Sequence, residues 1–303
     1  MHLHGIHHFT AITADGPANA AFYGGVLGLR MVKKSVNFDD PGAYHLYYGD
    51  AIGSPGTAMT FFEYPGAGRG RAGAGMVDRL DWSVPSTQAL VWWEQHLVGQ
   101  AITEREGDAL LVWDPEGLLL RFVPDANAAA VPHAGAPHVP GEFALRRMVG
   151  VRARSRDPER SAGVLESIGF RRDGEVWRTG DGIRSAQYML VEADGGPSIT
   201  GVGTTHHVAW ASLDEDHARW LERTRRADLH ATPIIDRDYF RSIYFREPSG
   251  VLFELATDGP GFTIDEPFDA LGSTLRLPSQ HEPLRPLLEQ RLATITDPWA
   301  PYR

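Results

Sequence analysis

The stretch "EPSGVLFELATD", residues 247–258, follows the same plan as an earlier stretch, "DPEGLLLRFVPD", residues 114–125. Each begins with an acid–Pro–X–Gly sequence, which is typical of a tight turn, and continues as an apolar run of strand length. Such turns are common, so the match by itself proves little. Because the two copies close equivalent segments in the two halves of the chain, however, the match favours a duplicated fold.

The repeat extends outward from these strands over most of the chain. Hydrophobic period and Gly/Pro punctuation predict a strand–helix–strands unit four times. The first unit has a strand at 5–13 and a helix at 17–27, with Pro17 placed to start the helix and Gly28 to stop it. The pattern predicts an α+β protein. Its parts are an N-terminal domain with two units, an Ala/Pro/Gly-rich linker, a C-terminal domain with two units and a tail, at residues 1–125, 126–142, 143–263 and 264–303.

Composition excludes several classes of protein. The 303 residues include no cysteine, which excludes disulfide frameworks, thiolate metal sites, iron–sulfur clusters and cysteine nucleophiles. A formal net charge of -10 disfavours binding to nucleic acid or to an anionic membrane, since such proteins normally present a basic face. No apolar stretch approaches the roughly 18–20 residues of a membrane span, and no signal peptide is recognisable. We therefore expect a cytoplasmic enzyme or small-molecule binder.

Two adjacent histidines begin a predicted strand twice, in "GIHHFTAIT" (5–13) and in "TTHHVAWASL" (204–213). Side chains of a strand alternate between its faces, so we expect one histidine of each pair to point into a given site. The turn-and-strand copies also differ at one aligned position, where Arg121 corresponds to Glu254. A carboxylate in the apolar run around Glu254 needs a partner, because an unpaired buried charge costs several kcal/mol.

Two kinds of partner would satisfy that carboxylate. One is a salt bridge to an arginine such as Arg237 or Arg246. The other is a metal ion that Glu254 binds together with one histidine from each pair, His8 and His207. Two imidazoles and one carboxylate leave coordination positions open for substrate and oxygen, which is the arrangement of non-haem Fe(II) oxygenases.

The first histidine of each pair has a separate predicted role. His7 and His206 would stand beside the metal site without binding the metal. An imidazole gains or loses a proton near neutral pH. We therefore regard both residues as candidate proton carriers in the reaction.

Several stretches resemble one known family. They are "HHFTAIT", "YHLYYGDAIGSPGTAMTFF", "HHVAWAS", "RSIYFREPSGVLFELATD" and the tail "LRLPSQHEPLRPLLEQ". These resemble the ring-cleaving dioxygenases of the vicinal oxygen chelate superfamily, which also includes glyoxalases and bleomycin-resistance proteins, and specifically the branch of hydroquinone 1,2-dioxygenases. The resemblance covers nearly the whole chain. It implies four βαβββ modules, arranged as two paired-module domains whose curved mixed sheets form cups around a metal.

The resemblance also implies roles for individual residues. The implied metal ligands are the second histidine of each pair and the glutamate of the last strand, at His8, His207 and Glu254. The family's metal-proximal tyrosine falls on Tyr244 and its substrate-pocket arginine on Arg237, followed by Tyr239. An arginine suits a phenolate, because its cation is permanent and carries five donors. Without the resemblance, Tyr244 reads as an ordinary sheet aromatic and Arg237 as a solvated loop charge.

The expected function is Fe(II)-dependent, extradiol-type ring cleavage, in which both atoms of O2 enter a hydroquinone- or catechol-type aromatic, with Mn, Zn or Ni as substitute metals. The main rival is a glyoxalase- or epimerase-like isomerase or lyase, because fold does not fix chemistry. A non-catalytic binder would not need the complete triad. The expected partners are an aromatic diphenol and O2, with no nucleic acid and no membrane. The sequence leaves open whether the C-terminal segment packs on its own domains or on another copy in a homo-oligomer.

Overall fold

Two eight-stranded mixed sheets dominate the computed structural model, which describes residues 1–302. Their strands belong to four βαβββ modules, as the resemblance implies. The first module contains β1 (Ile6–Thr13), α1 (Gly16–Ala20), β2 (Arg30–Val36), β3 (Tyr44–Gly49) and β4 (Ala58–Glu63). The second contains β5 (Met76–Val84), α2 (Thr87–His96), β6 (Ile102–Glu106), β7 (Ala109–Trp113) and β8 (Leu119–Pro124).

The other two modules follow the linker. The third contains β9 (Met148–Ser155), α3 (Ala162–Ser167), β10 (Arg171–Asp173), β11 (Val176–Thr179) and β12 (Ala186–Glu192). The fourth contains β13 (Thr205–Ser212), α4 (His217–Arg226), β14 (Ile235–Asp236), β15 (Arg241–Arg246) and β16 (Leu252–Thr257). The tail carries one further α-helix, α5 (Arg285–Arg291).

The pairing of modules differs from the predicted domains. One sheet has the order β14-β15-β16-β13-β1-β4-β3-β2, which joins the first module to the fourth. The other has the order β10-β11-β12-β9-β5-β8-β7-β6, which joins the second to the third. The predicted domains at 1–125 and 143–263 therefore each contribute one module to each sheet. The prediction grouped neighbours in sequence, whereas β1 pairs antiparallel with β13, and β5 with β9, through long-range contacts that strand patterns do not encode.

The first helix confirms its predicted punctuation and adds a local irregularity. Asp15 caps the helix, because its side chain accepts a hydrogen bond from the backbone N–H of Ala18. After α1 the helix widens into a π-helical turn over Ala21–Val26. Gly28 has a φ of +69°, a conformation that favours glycine, and the chain leaves the helix there.

The repeated acid–Pro–X–Gly turn has the same construction in both copies. The carboxylate of Asp114 accepts two backbone N–H groups of its turn, and the carboxylate of Glu247 accepts the N–H that follows its turn. The turn glycines, Gly117 and Gly250, have φ values of +95° and +104°. The two turns are therefore alike in structure as well as in sequence, and each directly precedes the last strand of its module, β8 or β16.

The C-terminal tail packs against the first module of its own chain. The ammonium of Lys33 on β2 is fully buried and is paired with Asp265 at 2.6 Å and with Glu266. Further along, the indole N–H of Trp299 donates to the carbonyl of Gly24 at 3.1 Å. The C-terminal segment therefore packs on the first module of its own chain. Within residues 1–302, the helices are all too short or too polar to cross a bilayer.

Candidate metal centre

Three side chains predicted as metal ligands meet at one point of the first sheet. His8 lies on β1, His207 on β13 and Glu254 on β16. The two imidazole Nε2 atoms are 3.1 Å apart, and the Oε2 atom of Glu254 lies 3.2 Å from that of His8 and 2.9 Å from that of His207. All three side chains are nearly inaccessible to solvent. The sequence signal thus located three residues that are up to 246 positions apart along the chain.

The spacing of these atoms fits a bound metal ion. Ligand atoms held at about 2.1 Å from a metal and at right angles to one another lie about 3 Å apart. The three measured distances match that value. Apart from the two imidazoles, Oε2 of Glu254 has no hydrogen-bonding partner among the described residues, while Oε1 accepts from Ser242. Two nitrogens and one carboxylate oxygen are a suitable donor set for iron, manganese, nickel or zinc.

The alternative of a salt bridge to arginine finds no partner. Arg237 contacts the carboxylate of Asp39 at 3.1 Å and the hydroxyl of Tyr244 at 3.3 Å. Arg246 donates to the carbonyl of Gly250 on the exposed turn. Neither arginine pairs with Glu254 in the described part of the chain. The buried carboxylate is therefore left to the two histidines and to whatever ion they bind.

Both first histidines sit at β-bulges, which the sequence did not predict. The register of β1 against β13 shifts twice, and the unpaired residue is His7 at one shift and His206 at the other. A bulge re-aims side chains that strict alternation would send to opposite faces. As a result, Nδ1 of His7 lies 2.9 Å from Nδ1 of His8, and Nδ1 of His206 lies 2.7 Å from Nδ1 of His207. Each first histidine is thus a hydrogen-bonding partner of the ligand that follows it.

Burial and the surrounding charges set the ionisation of the site. Burial lowers the pKa of His7 to about 3, with a further contribution from His8. Burial also lowers the pKa of His207, against the opposing effect of Glu254. For Glu254, burial favours the neutral acid, but the charge of His8 and the hydrogen bonds from His207 and His8 outweigh it and hold its pKa well below the usual value. Glu254 is therefore ionised and His207 favours its neutral form, and these are the states of a carboxylate and an imidazole that bind a metal cation.

His8 and His207 of this cluster line a cavity of about 380 Å³. This cavity, which we call the substrate cavity, is open at one side and has aromatic walls that include Phe38, Phe62 and Phe240. A cavity of this size and lining suits a small aromatic molecule. Of the predicted site residues outside the triad, three line it, namely His206, Arg237 and Tyr244.

Tyr244 and Arg237 form one polar wall of the substrate cavity. Tyr244 is directly opposite Glu254 in the β15–β16 pair, as the tight turn between these strands suggested. Burial raises the pKa of Tyr244, and the nearby carboxylate of Glu254 adds to the effect, so its hydroxyl keeps its proton. The guanidinium of Arg237 bridges this hydroxyl and Asp39 at the cavity mouth.

Two predicted site residues lie outside the substrate cavity. His7 and Tyr239 line a smaller cavity on the far side of Phe240. The ring of Phe240 is 5.0 Å from that of His7 and also 5.0 Å from that of His8, so it separates the two spaces. The hydroxyl of Tyr239 donates to Asp265 of the tail at 3.1 Å. Tyr239 therefore links the fourth module to the tail.

Four polar residues near the triad were not predicted from the sequence. Thr10 on β1 lies next to His207 and contacts Thr60 on β4, and His45 and Tyr47 line the substrate cavity from β3. The sequence did contain one indication of two of these residues. In "YHLYYG", residues 44–49, the alternation of a strand places His45 and Tyr47 on one face.

The second sheet carries ion pairs at the corresponding place. Arg121, which aligns with Glu254, is paired with Asp81 at 3.3 Å and with Glu106 at 2.7 Å. Asp81 also pairs with Arg79 at 2.7 Å. Among the described residues, the triad is the group of His and acidic side chains arranged to hold a metal. The duplicated fold thus has the His/His/Glu cluster in one sheet and salt bridges at the corresponding place in the other.

Several known proteins are similar to this chain in sequence and in structure. The chain is 40% identical over 300 residues to MhqO of Bacillus subtilis (strain 168), which carries the provisional name of a ring-cleaving dioxygenase, with 95% of each chain covered. It is 32% identical over 320 residues to the chlorohydroquinone/hydroquinone 1,2-dioxygenase of Sphingobium indicum, covering 97% of this chain and 96% of that one. The crystal structure of a provisionally named dioxygenase from Bacillus subtilis superposes with a TM-score of 0.89, at 37% identity and 98% coverage of both chains.

A family model gives the same assignment from sequence alone. The model described as the Glyoxalase/Bleomycin resistance protein/Dioxygenase superfamily matches residues 5–255, from the first His-His pair to the strand of Glu254. The match spans all four modules. The chain therefore belongs to the glyoxalase/bleomycin resistance protein/dioxygenase superfamily, the vicinal oxygen chelate proteins.

Proposed function

We propose that this protein is an Fe(II)-dependent, extradiol-type dioxygenase that inserts both atoms of O2 into a hydroquinone- or catechol-type ring. One observation carries the proposal. Three possible ligand atoms from His8, His207 and Glu254 lie 2.9–3.2 Å from one another, and the two histidines line an aromatic cavity. The names of the relatives at 40% and 32% identity support ring cleavage as the reaction class.

When bound, the iron would supply electron transfer and activation of the phenolic oxygen, as metals do for bound water. The chain supplies binding, orientation and a largely dry cavity. Phe62 and Phe240 offer apolar surfaces for the ring. The phenol Tyr244 and the cation Arg237 offer donors to an oxygen that becomes negatively charged in the reaction.

The two first histidines are proposed to act differently. With Nε2 of His207 at the metal, the Nδ1–H of His207 donates to Nδ1 of His206, so neutral His206 carries its proton on Nε2 and can donate it to a substrate oxygen in the cavity. Burial lowers the pKa of His206, so the ring is neutral and acts toward the cavity as a hydrogen-bond donor through Nε2. His7 lies behind Phe240, so we assign it the orientation of His8 and no contact with substrate. Supporting hydrogen bonds of this kind orient metal ligands.

The test is oxygen uptake by the iron-loaded protein. The protein is prepared anaerobically, loaded with Fe(II) and mixed with aerated hydroquinone or catechol. We expect oxygen consumption in step with loss of the aromatic spectrum. A glyoxalase- or epimerase-like isomerase or lyase would instead consume no oxygen with any diphenol, and would be active with a divalent metal in the absence of O2. That result would end the dioxygenase proposal.

The proposed aromatic substrate and O2 are small molecules, and assembly into a homo-oligomer remains a separate proposal. The tail already packs on the first module of its own chain, through the Lys33–Asp265 ion pair and the hydrogen bond from Trp299 to Gly24. Sedimentation of the purified protein would decide whether copies associate.

A further inference from the structure

One row of side chains crosses the inner face of the metal-binding sheet. The residues directly opposite one another on β13, β1, β4 and β3 are His207, Thr10, Thr60 and Tyr47. Opposed residues of neighbouring strands share a face of the sheet. The row therefore runs from a metal ligand to a tyrosine that lines the substrate cavity. His45, two residues before Tyr47, faces the same way.

Hydrogen bonds connect four side chains of this face without a gap, namely Thr10, Thr60, His45 and Tyr47. The Oγ1 atom of Thr10 lies 3.0 Å from Nε2 of His207, the atom assigned to the metal, and is 2.7 Å from Oγ1 of Thr60, to which it is hydrogen-bonded. The same Thr60 oxygen is 3.0 Å from Nε2 of His45, and Nδ1 of His45 is 2.7 Å from the Tyr47 hydroxyl. All four side chains in this series of hydrogen bonds are buried, so the surrounding packing restricts their movement.

The chain leaves one hydrogen-bonding position of Tyr47 free. A phenolic hydroxyl both donates and accepts, and a neutral imidazole has one donor and one acceptor. His45 uses both ring nitrogens, on Thr60 and Tyr47, and thereby takes one of the two capacities of the Tyr47 hydroxyl. Burial lowers the pKa of His45 well below its usual value and raises that of Tyr47 well above its own, which keeps both groups neutral. The remaining capacity of the Tyr47 hydroxyl is open to a ligand.

Tyr47 lies on the side of the cavity away from the candidate metal ligands, where it can contact the end of an aromatic ring opposite the metal. Its strand, β3, is two strands away from β1, a separation of about 10 Å at normal strand spacing. The three metal ligands lie on β1 and beyond it on β13 and β16. A ring held at the ligands by one oxygen would direct its para substituent away from them, whereas both oxygens of a catechol lie on the metal side.

We propose that Tyr47, oriented by His45, binds the ring oxygen opposite the metal-bound one, and that this contact selects para-diphenols over catechols. The inference rests on the proposed function, because it takes one phenolic oxygen to lie at the metal. Tyr47 contacts the substrate in this proposal, and His45 is a positioning residue that acts through Tyr47.

The test compares ligands in the anaerobic, Fe(II)-loaded protein by calorimetry. Hydroquinone should bind about tenfold more tightly than phenol, which lacks the second oxygen, because one hydrogen bond is lost. Tyr47→Phe should remove this preference and leave the affinity for catechol unchanged. Tyr48→Phe is the matched control, since it removes the same atom from the neighbouring residue, whose hydroxyl is buried in the core with no hydrogen-bonding partner among the described residues. It should retain the preference.

Equal affinity of the wild-type protein for hydroquinone and phenol would overturn the proposal, even if the tyrosine variant failed to fold. A preference that persists in folded Tyr47→Phe would do the same. His45→Gln alone should weaken the preference for hydroquinone over phenol. Added to Tyr47→Phe, the same substitution should have no further effect on that preference. A further effect would mean that His45 contacts the substrate itself and would overturn its assignment as a positioning residue. Oxygen uptake with hydroquinone by the wild-type protein separates these results from a failure of the proposed function.

Discussion

Replacement of Glu254 by glutamine should uncouple the protein from its metal. The substitution keeps the size of the side chain and removes the negative charge from the ligand set. Glu254 is completely inaccessible to solvent, so water cannot supply the missing ligand atom. Oε2 lies within 3.2 Å of both imidazole nitrogens, and the lost charge therefore acts at the centre of the site.

The expected size of the effect follows from linkage between binding and folding. Loss of even a supporting partner weakens metal binding by up to about 100-fold, and loss of the carboxylate ligand should reach at least that value. With free metal at 100 times the wild-type Kd, binding stabilises the wild-type protein by about 2.7 kcal/mol. A 100-fold weaker variant gains only about 0.4 kcal/mol at the same metal concentration. At roughly 2 °C per kcal/mol for a chain of this size, the metal-induced rise in Tm should fall from about 5 °C to about 1 °C.

Thermal unfolding with and without metal, together with metal analysis of the dialysed protein, measures this directly. Fe(II) under anaerobic conditions is the primary ion, and Mn(II) or Zn(II) serves as a redox-stable substitute. Glu247→Gln is the matched control, because Glu247 is a buried glutamate of the same module that binds Ser161 and a backbone N–H outside the site. A Glu254→Gln protein that keeps the full metal-induced rise in Tm would refute the assignment of Glu254 as a ligand.

Burial raises the pKa of Asp114 to about 6 from its usual 3.8, so the folded state binds the proton more tightly and stability should fall as pH rises from about 4 to 6. Asp114→Asn should flatten Tm against pH in that window, and an unchanged slope would contradict the cause given. Lys33→Met should cost about 3–5 kcal/mol in urea unfolding, because it leaves buried Glu266 without its closest cation; a loss below about 1 kcal/mol would be inconsistent with that pairing. Arg237→Met should weaken anaerobic binding of hydroquinone about tenfold with metal content unchanged, and unaltered affinity would remove Arg237 from the substrate site.

The three candidate ligands could be predicted because each has a recognisable local sequence pattern. His8 and His207 begin strands as the second of two histidines, and Glu254 interrupts an apolar run that the aligned copy fills with Arg121. A buried charge in such a run needs a compensating partner wherever the strand ends up. The three marks could be combined into one site without knowing how the sheets pair.

Other features of the site leave no such mark. His7 and His206 both lie at bulges, and a bulge depends on how β1 and β13 pair across nearly 200 residues. Strict alternation therefore did not predict that each of these histidines contacts, through Nδ1, the histidine that follows it. His45 and Tyr47 are ordinary strand residues by pattern, and they become part of the site only because β3 lies two strands from β1.

Sequence alone was sufficient for the four modules, the repeated turns and the three residues of the His/His/Glu cluster, because periodicity, turn chemistry and the cost of a buried charge are properties of short segments. The partner of each module was settled only in three dimensions, where the first strand joins the thirteenth and the fifth joins the ninth. The first strand of each module has the same kind of unpaired backbone groups, so backbone hydrogen bonding does not distinguish one partner strand from another. Long-range packing of side chains determines which two strands pair. That choice brings His8 from one end of the chain to His207 and Glu254 at the other, and gives the substrate cavity its walls.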